Sequence, residues 1–263
     1  MARILLTGAT SGIGLAAAVR LAKSPHDIVL HGPELDGDAA AAIATVRSTA
    51  HPGTTVTYEH ADFTRLDDVR ALAARIRSSS LDVLINNAAI PGPPTRTPGE
   101  AGTDLTYQVN FLAGVLLTHL LLPRLSARGR IVNVASATHY SASLDVNDLE
   151  FRRRPYSASA AYAQSKLAIV TYSNWLASRV ETVVMSLHPG VVSTDLLHTM
   201  FSVGGVPASV GGENLASAVS VGLPTGTYLD ETTPSPPSAE SLDRDAQRVL
   251  VADTERRLAT PLP

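Results

Sequence analysis

The chain has 263 residues, a formal net charge of −3 and no cysteine. This balance gives no argument for binding to nucleic acid or an anionic membrane, and the lack of cysteine excludes disulfides and thiolate zinc sites. Apolar residues make up 44% of the chain, enough for the core of one large α/β domain, and no apolar run reaches the roughly 18 residues of a membrane span. We therefore expect a soluble protein.

The first predicted elements are a buried strand over residues 3–7 and a helix over residues 15–23. The turn between them is rich in small residues: Gly8, Thr10, Ser11, Gly12, Ile13 and Gly14. A strand, a glycine turn and a helix N-terminus together form a site for a pyrophosphate. The turn therefore predicts a dinucleotide site, although a tight connection with no ligand has the same pattern. So few residues precede it that we expect no signal peptide and a cytoplasmic location.

The second strand, over residues 27–32, bears on the choice of cofactor. An acid at its end would hold the ribose 2′-hydroxyl and repel a 2′-phosphate. The chain has His31, Gly32 and Pro33 there, with neither that acid nor an adjacent arginine. The missing acid permits NADPH and the missing arginine weakens the case for it. We expect NADP(H) to be favoured over NAD(H), with His31 and Gly32 beside the cofactor.

A helix over residues 38–49, a strand over 54–59 and a helix over 66–78 are predicted next. Asp62 and Phe63 follow the strand. The Asp62 carboxylate can accept a hydrogen bond from the adenine amino group, or it can simply cap the next helix.

A fourth strand over residues 81–85 leads into Asn87, Ala88 and Ala89. Small residues let the backbone approach a ligand closely, and asparagine can fix a turn through backbone hydrogen bonds. A long helix over residues 103–125 follows and contains Asn110. Asparagine is a mediocre helix former, so Asn110 has either a functional or a structural role, and the residues alone do not separate the two.

A fifth strand over residues 130–136 ends at Ser136, at the edge where ligands sit in open parallel sheets. After an insertion, a helix reaching about residue 178 carries Tyr162 and Lys166, four residues apart and so on one face. Of seven tyrosines and two lysines, about 0.05 such pairs are expected by chance. A cation one turn from a phenol favours the phenolate, so we expect a lowered tyrosine pKa and general acid–base chemistry.

The last predicted elements are a strand over residues 182–187, a short strand over 226–229 and a terminal helix over 239–258. Residues 195–213 contain two glycine pairs and are predicted to form a mobile lid or an irregular surface loop. Alternating strands and helices predict a single-domain, Rossmann-type, doubly wound parallel sheet of about seven strands, with helices on both faces. We assign residues 1–230 to this domain, and 231–263 to a Pro/Ser-rich linker and a helix packed on it.

With these residues in order, the chain resembles the short-chain dehydrogenase/reductase family over nearly its full length. The resemblance is carried by Thr7 to Gly14, Asp62, Asn86-Asn87-Ala88, Asn110, Ser136, Tyr162 with Lys166, and Pro189-Gly190 with Thr194. The sequences around Asn110, Leu120 and Lys166, and the long gap from Ser136 to Tyr162, look closest to the branch with retinol dehydrogenases and bacterial carbonyl reductases. The chain departs from the family pattern at Ala89, where glycine is usual, and at Pro33, where NADP-preferring members often carry arginine.

The resemblance implies hydride transfer between a nicotinamide and a ketone or alcohol, without a metal. Tyr162 would move the proton, Lys166 would bind the ribose and acidify the phenol, and Ser136 would donate to the substrate oxygen. Asn110 would hold a helix distortion and a water. The implied cofactor contacts are Gly8, Thr10, Ser11, Gly12, Ile13, Gly14, His31, Gly32, Asp62, Phe63, Asn87, Ala88, Ala89, Tyr162, Lys166, Pro189, Gly190, Val192 and Thr194.

The expected substrate pocket consists of His139, Tyr140, residues 141–160, Val191-Val192 and residues 196–210, which are mainly apolar. This composition favours a lipophilic or cyclic small molecule as substrate. His139 follows Ser136 closely, and a structural role is favoured over contact with substrate. Association through the helices of residues 103–125 and 160–178 is common in the family, so we expect a homodimer or homotetramer.

Two other functions are compatible with the pattern. A nucleotide-binding regulator or scaffold could keep the fold without chemistry, but it would have no need of Ser136, Tyr162 and Lys166 together. A nucleotide-sugar epimerase or dehydratase shares the tyrosine–lysine pair, but it usually has a longer C-terminal substrate domain and a different glycine spacing. Turnover of a ketone with a nicotinamide cofactor separates an oxidoreductase from an idle binder.

Overall fold

The computed structural model describes residues 1–76, 80–201 and 203–263. Its strands form one sheet with the order β3-β2-β1-β4-β5-β6-β7-β8. The strands are β1 (Arg3–Leu6), β2 (Asp27–Gly32), β3 (Thr55–His60), β4 (Leu81–Asn86), β5 (Leu125–Val134), β6 (Val183–His188), β7 (Tyr228–Asp230) and β8 (Thr233–Ser235). Neighbouring strands from β3 through β7 run parallel, and β8 pairs antiparallel with β7.

Helices cover both faces of this sheet. They are α1 (Gly12–Leu21), α2 (Asp36–Ser48), α3 (Leu66–Ile76), α4 (Leu105–Tyr107), α5 (Ala113–Leu121), α6 (Ala158–Ala177), α7 (Asp195–Met200), α8 (Ala208–Ser217) and α9 (Arg244–Leu258). Leu5 packs into the core on one face, with residues of α3, α5 and α6. Ile4 and Leu6 point to the other face, with residues of α1 and α8. Successive side chains of a strand alternate between faces, so an unbroken apolar strand supplies both cores.

The predicted Rossmann-type fold is confirmed, with eight strands where about seven were expected. The additional strand is β8, in the segment predicted to be a linker. It lies at the edge of the sheet and contains Pro234, and an edge strand tolerates proline because its outer N–H groups need no partner. The predicted helix over residues 66–78 ends at Ile76, and residues 77–79 lie outside the described ranges.

The predicted helix over residues 103–125 is confirmed as one helical run, Leu105–Arg124. It consists of α4, a π-helical turn from Gln108 to Leu112, α5 and a 3₁₀ turn from Leu122 to Arg124. The expectation that no apolar run reaches the length of a membrane span is wrong, because Leu105–Arg124 is long and apolar enough; however, 72% of its most apolar stretch is buried inside the protein. The helix is apolar because most of it is buried in the core, and such a core helix meets the same criteria of length and composition as a membrane span.

Residues 195–213 contain α7 and the start of α8, so the predicted irregular loop is wrong in part. A mobile lid in this range stays a prediction, and residue 202 lies outside the described residues. A Cβ atom on Gly212 would lie 2.6 Å from the Ala16 Cβ, and one on Gly211 would lie 2.6 Å from a methyl carbon of Val192. This glycine pair therefore permits close packing of α8 on α1 and on the segment after β6.

Candidate active site

The glycine turn after β1 lies beside the residues that directly follow β4. The strand order reverses between these two strands. A Cβ atom on Gly14 would lie 1.9 Å from the Gly8 carbonyl oxygen, and one on Gly8 would lie 2.7 Å from the Ala88 Cα. A side chain at either position would collide with backbone atoms, so each position requires glycine. The N–H groups of the first turn of α1 have no acceptor within the helix, so this end of α1 carries a partial positive charge suited to a phosphate.

Two polar side chains hold the turn in place. Asn87 Nδ2 donates to the carbonyl oxygens of Thr7 and Gly8, each at 2.9 Å. The Thr7 hydroxyl donates to the Ile85 carbonyl and accepts from the Asn87 N–H. The expected role of Asn87 in fixing a turn matches this geometry.

His31 braces the same turn from β2. Its Nδ1 accepts from the Gly8 N–H at 3.3 Å, so the proton lies on Nε2, which donates to the Ala61 carbonyl at 3.0 Å. The ring stacks on Phe63 at 4.4 Å. Burial lowers the pKa of His31 to about 4. His31 is therefore neutral at physiological pH and brings no positive charge to the site.

A cavity of about 490 Å³ runs along the carboxyl ends of the strands. Two residues among the predicted site do not line it, namely Gly32 and Asn110. Those that do are Gly8, Thr10, Ser11, Gly12, Ile13, Gly14, His31, Asp62, Phe63, Asn87, Ala88, Ala89, Ser136, Tyr162, Lys166, Pro189, Gly190, Val192 and Thr194. The structure thus brings predicted residues that lie as far apart in sequence as Gly8 and Thr194 into one cleft.

Tyr162 and Ser136 meet near one end of this cavity. The Tyr162 side chain is buried, and burial raises the pKa of its phenol to about 12, although a hydrogen bond with Ser136 lowers it. Ser136 lies two residues after β5 and caps the following 3₁₀ turn by accepting from the Thr138 N–H at 3.2 Å. This second contact orients the Ser136 hydroxyl.

Lys166 lies one helical turn below Tyr162. Its Nζ donates to the Val134 carbonyl at 2.9 Å and lies 5.5 Å from the centre of the Tyr162 ring. Burial lowers the pKa of Lys166 to about 7. The sequence predicted a lowered phenol pKa, and for the protein alone this is wrong: burial acts on both groups and outweighs their attraction.

Asn110 sits in the π-helical turn, outside the cavity. Its Oδ1 accepts from the Ile90 N–H at 2.8 Å, and its Nδ2 donates to the Ile90 carbonyl and to the Ser165 hydroxyl. The extra residue in the turn swings this amide towards the segment after β4. Asn110 therefore links that segment to α6, which carries Tyr162.

Asp62 forms a local turn as well as lining the cavity. Its carboxylate accepts from the Thr64 N–H at 2.9 Å, while α3 begins later, at Leu66. Asp62 is therefore not the N-cap of that helix. Its other carboxylate oxygen keeps the capacity to accept from a ligand.

The predicted substrate pocket needs correction at the insertion. His139 is fully buried; its Nδ1 donates to the Ser136 carbonyl at 2.7 Å and its Nε2 accepts from the Ser238 N–H. The Tyr140 hydroxyl donates to the Pro236 carbonyl. Neither residue, nor any of 141–160, lines the cavity. The insertion instead packs against the C-terminal segment.

The segment after β6 supplies an apolar part of the cavity wall. Thr194 caps α7 by accepting from the Leu197 N–H at 3.3 Å. From that helix and the residues after it, the lining side chains are Leu196, Leu197, Phe201 and Val203. This part of the predicted pocket lies where it was expected. Within the described residues, no three metal-ligating side chains come together as a cation site.

Several lining residues were not predicted. Glu34 is half-buried and lies two residues beyond β2, in a loop where the sequence carries no signal of a binding role. His188 ends β6 and lines the cavity, a position at the edge of the sheet where ligands sit that could have marked it. Asp195 also lines the cavity, directly after Thr194.

The sequence model of the short chain dehydrogenase family matches residues 2–203. The chain belongs to that family. It is 33% identical to human retinol dehydrogenase 13 over 99% of this chain and 85% of that protein. It is 34% identical to a Streptomyces protein assigned as the daunorubicin C-13 ketoreductase DnrU, over 96% of this chain and 93% of that one.

Among solved structures, a protein from Mycobacterium Paratuberculosis superimposes with a TM-score of 0.85 at 30% identity, covering all of this chain and 95% of the other. The predicted membership is confirmed, and with it the expectation of an oxidoreductase that uses an NAD(P) cofactor on alcohol or carbonyl groups.

The described residues fit such a cofactor. The glycine cradle leaves no room for side chains where a pyrophosphate would lie, and the N-terminus of α1 faces the same space. The cavity continues from Glu34 and Asp62 past this turn to Ser136 and Tyr162. One elongated cleft therefore joins an adenosine-sized end to a proton-transfer pair.

Proposed function

We propose that the enzyme interconverts a lipophilic or cyclic ketone and its alcohol, with Tyr162 as the proton donor and acceptor. The observation that carries this proposal is the buried phenol of Tyr162, which lines the dinucleotide-shaped cavity together with Ser136 and lies above Lys166. A bound nicotinamide would supply or accept the hydride.

The protein's own residues would act on the substrate oxygen. During reduction the Tyr162 hydroxyl donates its proton to this oxygen, while the Ser136 hydroxyl donates a second hydrogen bond that strengthens as negative charge develops. During oxidation Tyr162 accepts the proton. With a pKa raised to about 12 by burial, the phenol holds its proton at physiological pH and is ready for the reductive direction.

Lys166 and Asn110 would support this proton transfer. Lys166, with a pKa of about 7, exists in both charge states near neutrality and can therefore give up or take up a proton. Asn110 holds the segment after β4 against α6, which carries both Tyr162 and Lys166. Thr194 and the α7 segment would orient the reacting faces. The other residues predicted to touch the cofactor would bind it along the glycine turn and the ends of β3 and β4.

The proposed substrate class follows from the wall near Tyr162. Val191, Leu196, Phe201 and Val203 line this end, and Val191 and Val203 are about half exposed. An apolar rim that is open to solvent favours entry of a hydrophobic molecule over a charged metabolite. Retinol and daunorubicin, named in the relatives above, are suitable first compounds for a substrate screen.

The oligomeric state expected from the sequence stays a prediction, and the covered face of α6 bears on it. From Ala161 to Ser173 every residue of this helix is buried within the single chain. The C-terminal part packs on it, with Asn174 Nδ2 donating to the carbonyl and hydroxyl oxygens of Ser241 at 3.2 Å. We propose a monomer, because α6, one of the two helices expected to form the interface, already packs against the C-terminal part of the chain. A cytoplasmic location remains part of the proposal, supported by the absence of cysteine.

Of the alternative functions, an idle nucleotide binder is disfavoured by the shared cavity. Such a protein would gain nothing from burying Tyr162 and Lys166 at a desolvation penalty of several kcal/mol. A sugar-nucleotide enzyme is disfavoured by the apolar wall beside α7, which offers few groups for a polyhydroxylated ligand.

The test mixes the purified protein with NADH or NADPH and a panel of hydrophobic ketones, and follows nicotinamide absorbance. Turnover of at least one cyclic or long-chain ketone, at a higher kcat/KM than small charged keto acids, supports the proposal. Binding of the nucleotide without turnover of any ketone or alcohol would contradict it. Fractionation of the source cells, with detection of the protein in the membrane pellet, would contradict the proposed location.

A further inference from the structure

Gly32, at the end of β2, leaves a space that is filled by a side chain from further along the chain. A Cβ atom on Gly32 would lie 2.5 Å from Glu34 Oε2 and 2.6 Å from the Thr10 methyl carbon. The carboxylate of Glu34 therefore occupies the volume that a side chain at position 32 would take. An acid at the end of this strand is what holds a ribose 2′-hydroxyl in dinucleotide folds.

The segment that carries Glu34 is anchored at both its side chain and its backbone. The Thr10 hydroxyl donates to Glu34 Oε1 at 3.1 Å, and the Tyr58 hydroxyl donates to the Glu34 carbonyl at 2.6 Å. Glu34 Oε2 is buried and has no hydrogen-bond partner within the described part of the chain. Since a buried carboxylate oxygen is a strong acceptor, this atom is ready to receive a donor from a ligand in the cavity.

The charges around this end of the cavity are negative. Glu34 and Asp62 both line it, and no arginine from the described ranges does. His31, the nearest lining base, is neutral because burial lowers its pKa to about 4. Lys166 lies at the other end, next to Tyr162. A phosphate placed beside Glu34 would therefore meet a carboxylate with no compensating cation.

We propose that Glu34 accepts a hydrogen bond from the 2′-hydroxyl of the cofactor's adenosine ribose and excludes a 2′-phosphate, so that the enzyme uses NAD(H) in preference to NADP(H). This inference rests on the proposed function and specifies its cofactor. It reverses the preference expected from the sequence, which considered only the residue closing β2. The acid is present as Glu34, two residues after the end of β2, and its side chain folds back over Gly32.

Calorimetric dissociation constants for NADH and NADPH test the inference without any turnover. We expect the wild-type protein to bind NADH at least tenfold more tightly, because a 2′-phosphate would face the Glu34 carboxylate. Glu34→Gln, which keeps the shape and removes the charge, is expected to shift the ratio of the two constants at least fivefold towards NADPH. The matched control is Asp36→Asn, which removes an exposed carboxylate two residues away that does not line the cavity.

The same measurement with two fragments, adenosine 5′-phosphate and adenosine 2′,5′-bisphosphate, isolates the ribose contact. The inference is overturned if wild-type protein binds NADPH as tightly as NADH, or if Glu34→Gln leaves the ratio unchanged while its thermal unfolding matches wild type. A shift of equal size in Asp36→Asn would also overturn it, since the effect would then be one of general charge. If a folded wild-type protein binds neither nucleotide, the proposed function fails together with this inference.

Discussion

The Nζ atom of Lys166 lies 5.5 Å from the centre of the Tyr162 ring, one turn along α6. Both groups are buried, and burial moves both pKa values towards the neutral forms: the phenol to about 12 and the amine to about 7. A lysine that has lost much of its charge gives little acidification of the phenol. The proton-transfer pair is therefore held near its neutral state by the fold itself.

The lowered pKa of Lys166 makes stability depend on pH. The unfolded lysine titrates near 10.4 and the folded one near 7, so the unfolded state binds more protons between these values and stability rises with pH across that window. Relative to Lys166→Met, which removes the titration, we expect the wild-type free energy of unfolding to gain about 2 kcal/mol between pH 7 and pH 9. Urea unfolding of both proteins at the two pH values measures this difference. Parallel pH profiles would mean that Lys166 keeps an ordinary pKa in the folded protein.

Gly14→Ala is expected to disrupt the nucleotide site. The added Cβ would lie 1.9 Å from the Gly8 carbonyl oxygen, which the backbone of the turn cannot avoid without moving. We expect the affinity for NADH to fall at least about tenfold and stability to fall by about 1–3 kcal/mol. Gly37→Ala is the matched control, because a Cβ there meets nothing within 4 Å and alanine favours the first turn of α2. Unchanged NADH binding in Gly14→Ala would show that the turn does not contact the cofactor.

Asn110→Ala tests the link between the π-helical turn and the segment after β4. The substitution leaves the Ile90 N–H and carbonyl without their side-chain partners, which costs about 1–3 kcal/mol. We also expect kcat to fall, since Ile90 lines the cavity next to Ala88 and Ala89. Asn174→Ala, which loses its contacts with Ser241 far from the cavity, should lower stability with kcat unchanged. Equal kcat losses in the two variants would assign Asn110 a general structural role.

The covered face of α6 predicts the assembly state. Light scattering of the purified protein should give the monomer mass of 27.6 kDa at micromolar concentration. The C-terminal helix that covers α6 is itself held by Arg257, which pairs with Asp253 at 2.5 Å and with Glu150 of the insertion. A mass of two or four chains would contradict this prediction and require an interface on another face.

The sequence identified the parts of the site that depend on local chemistry. Gly8 and Gly14 are needed wherever a strand turns sharply into a helix over a phosphate, so the pattern predicts the place. Tyr162 and Lys166 are one helical turn apart in any helix, so their shared face follows from spacing alone. Ser136 was found because it closes the strand predicted over residues 130–136, at the edge of the sheet where ligands sit.

The parts of the site that the sequence did not predict depend on where distant chain segments pack against each other. Glu34 reaches the cavity only because Gly32 has no side chain and Tyr58 anchors the loop, two contacts that no local pattern contains. His139 was placed in the substrate pocket by its nearness to Ser136 in sequence, but its ring points to Ser238 in the C-terminal segment. Gly212 was read only as part of a lid or loop, and its close packing against Ala16 of α1 could not be foreseen.

The most direct test of the account is single-turnover kinetics of Tyr162→Phe with NADH and a ketone that the wild-type enzyme reduces. Removing the hydroxyl removes the proton donor and leaves the ring in place, so we expect the rate of NADH oxidation to fall by about 10²–10⁴-fold while the NADH dissociation constant changes less than about threefold. Ketone reduction by this variant at a rate close to that of wild type would contradict the role of Tyr162 and the mechanism built on it.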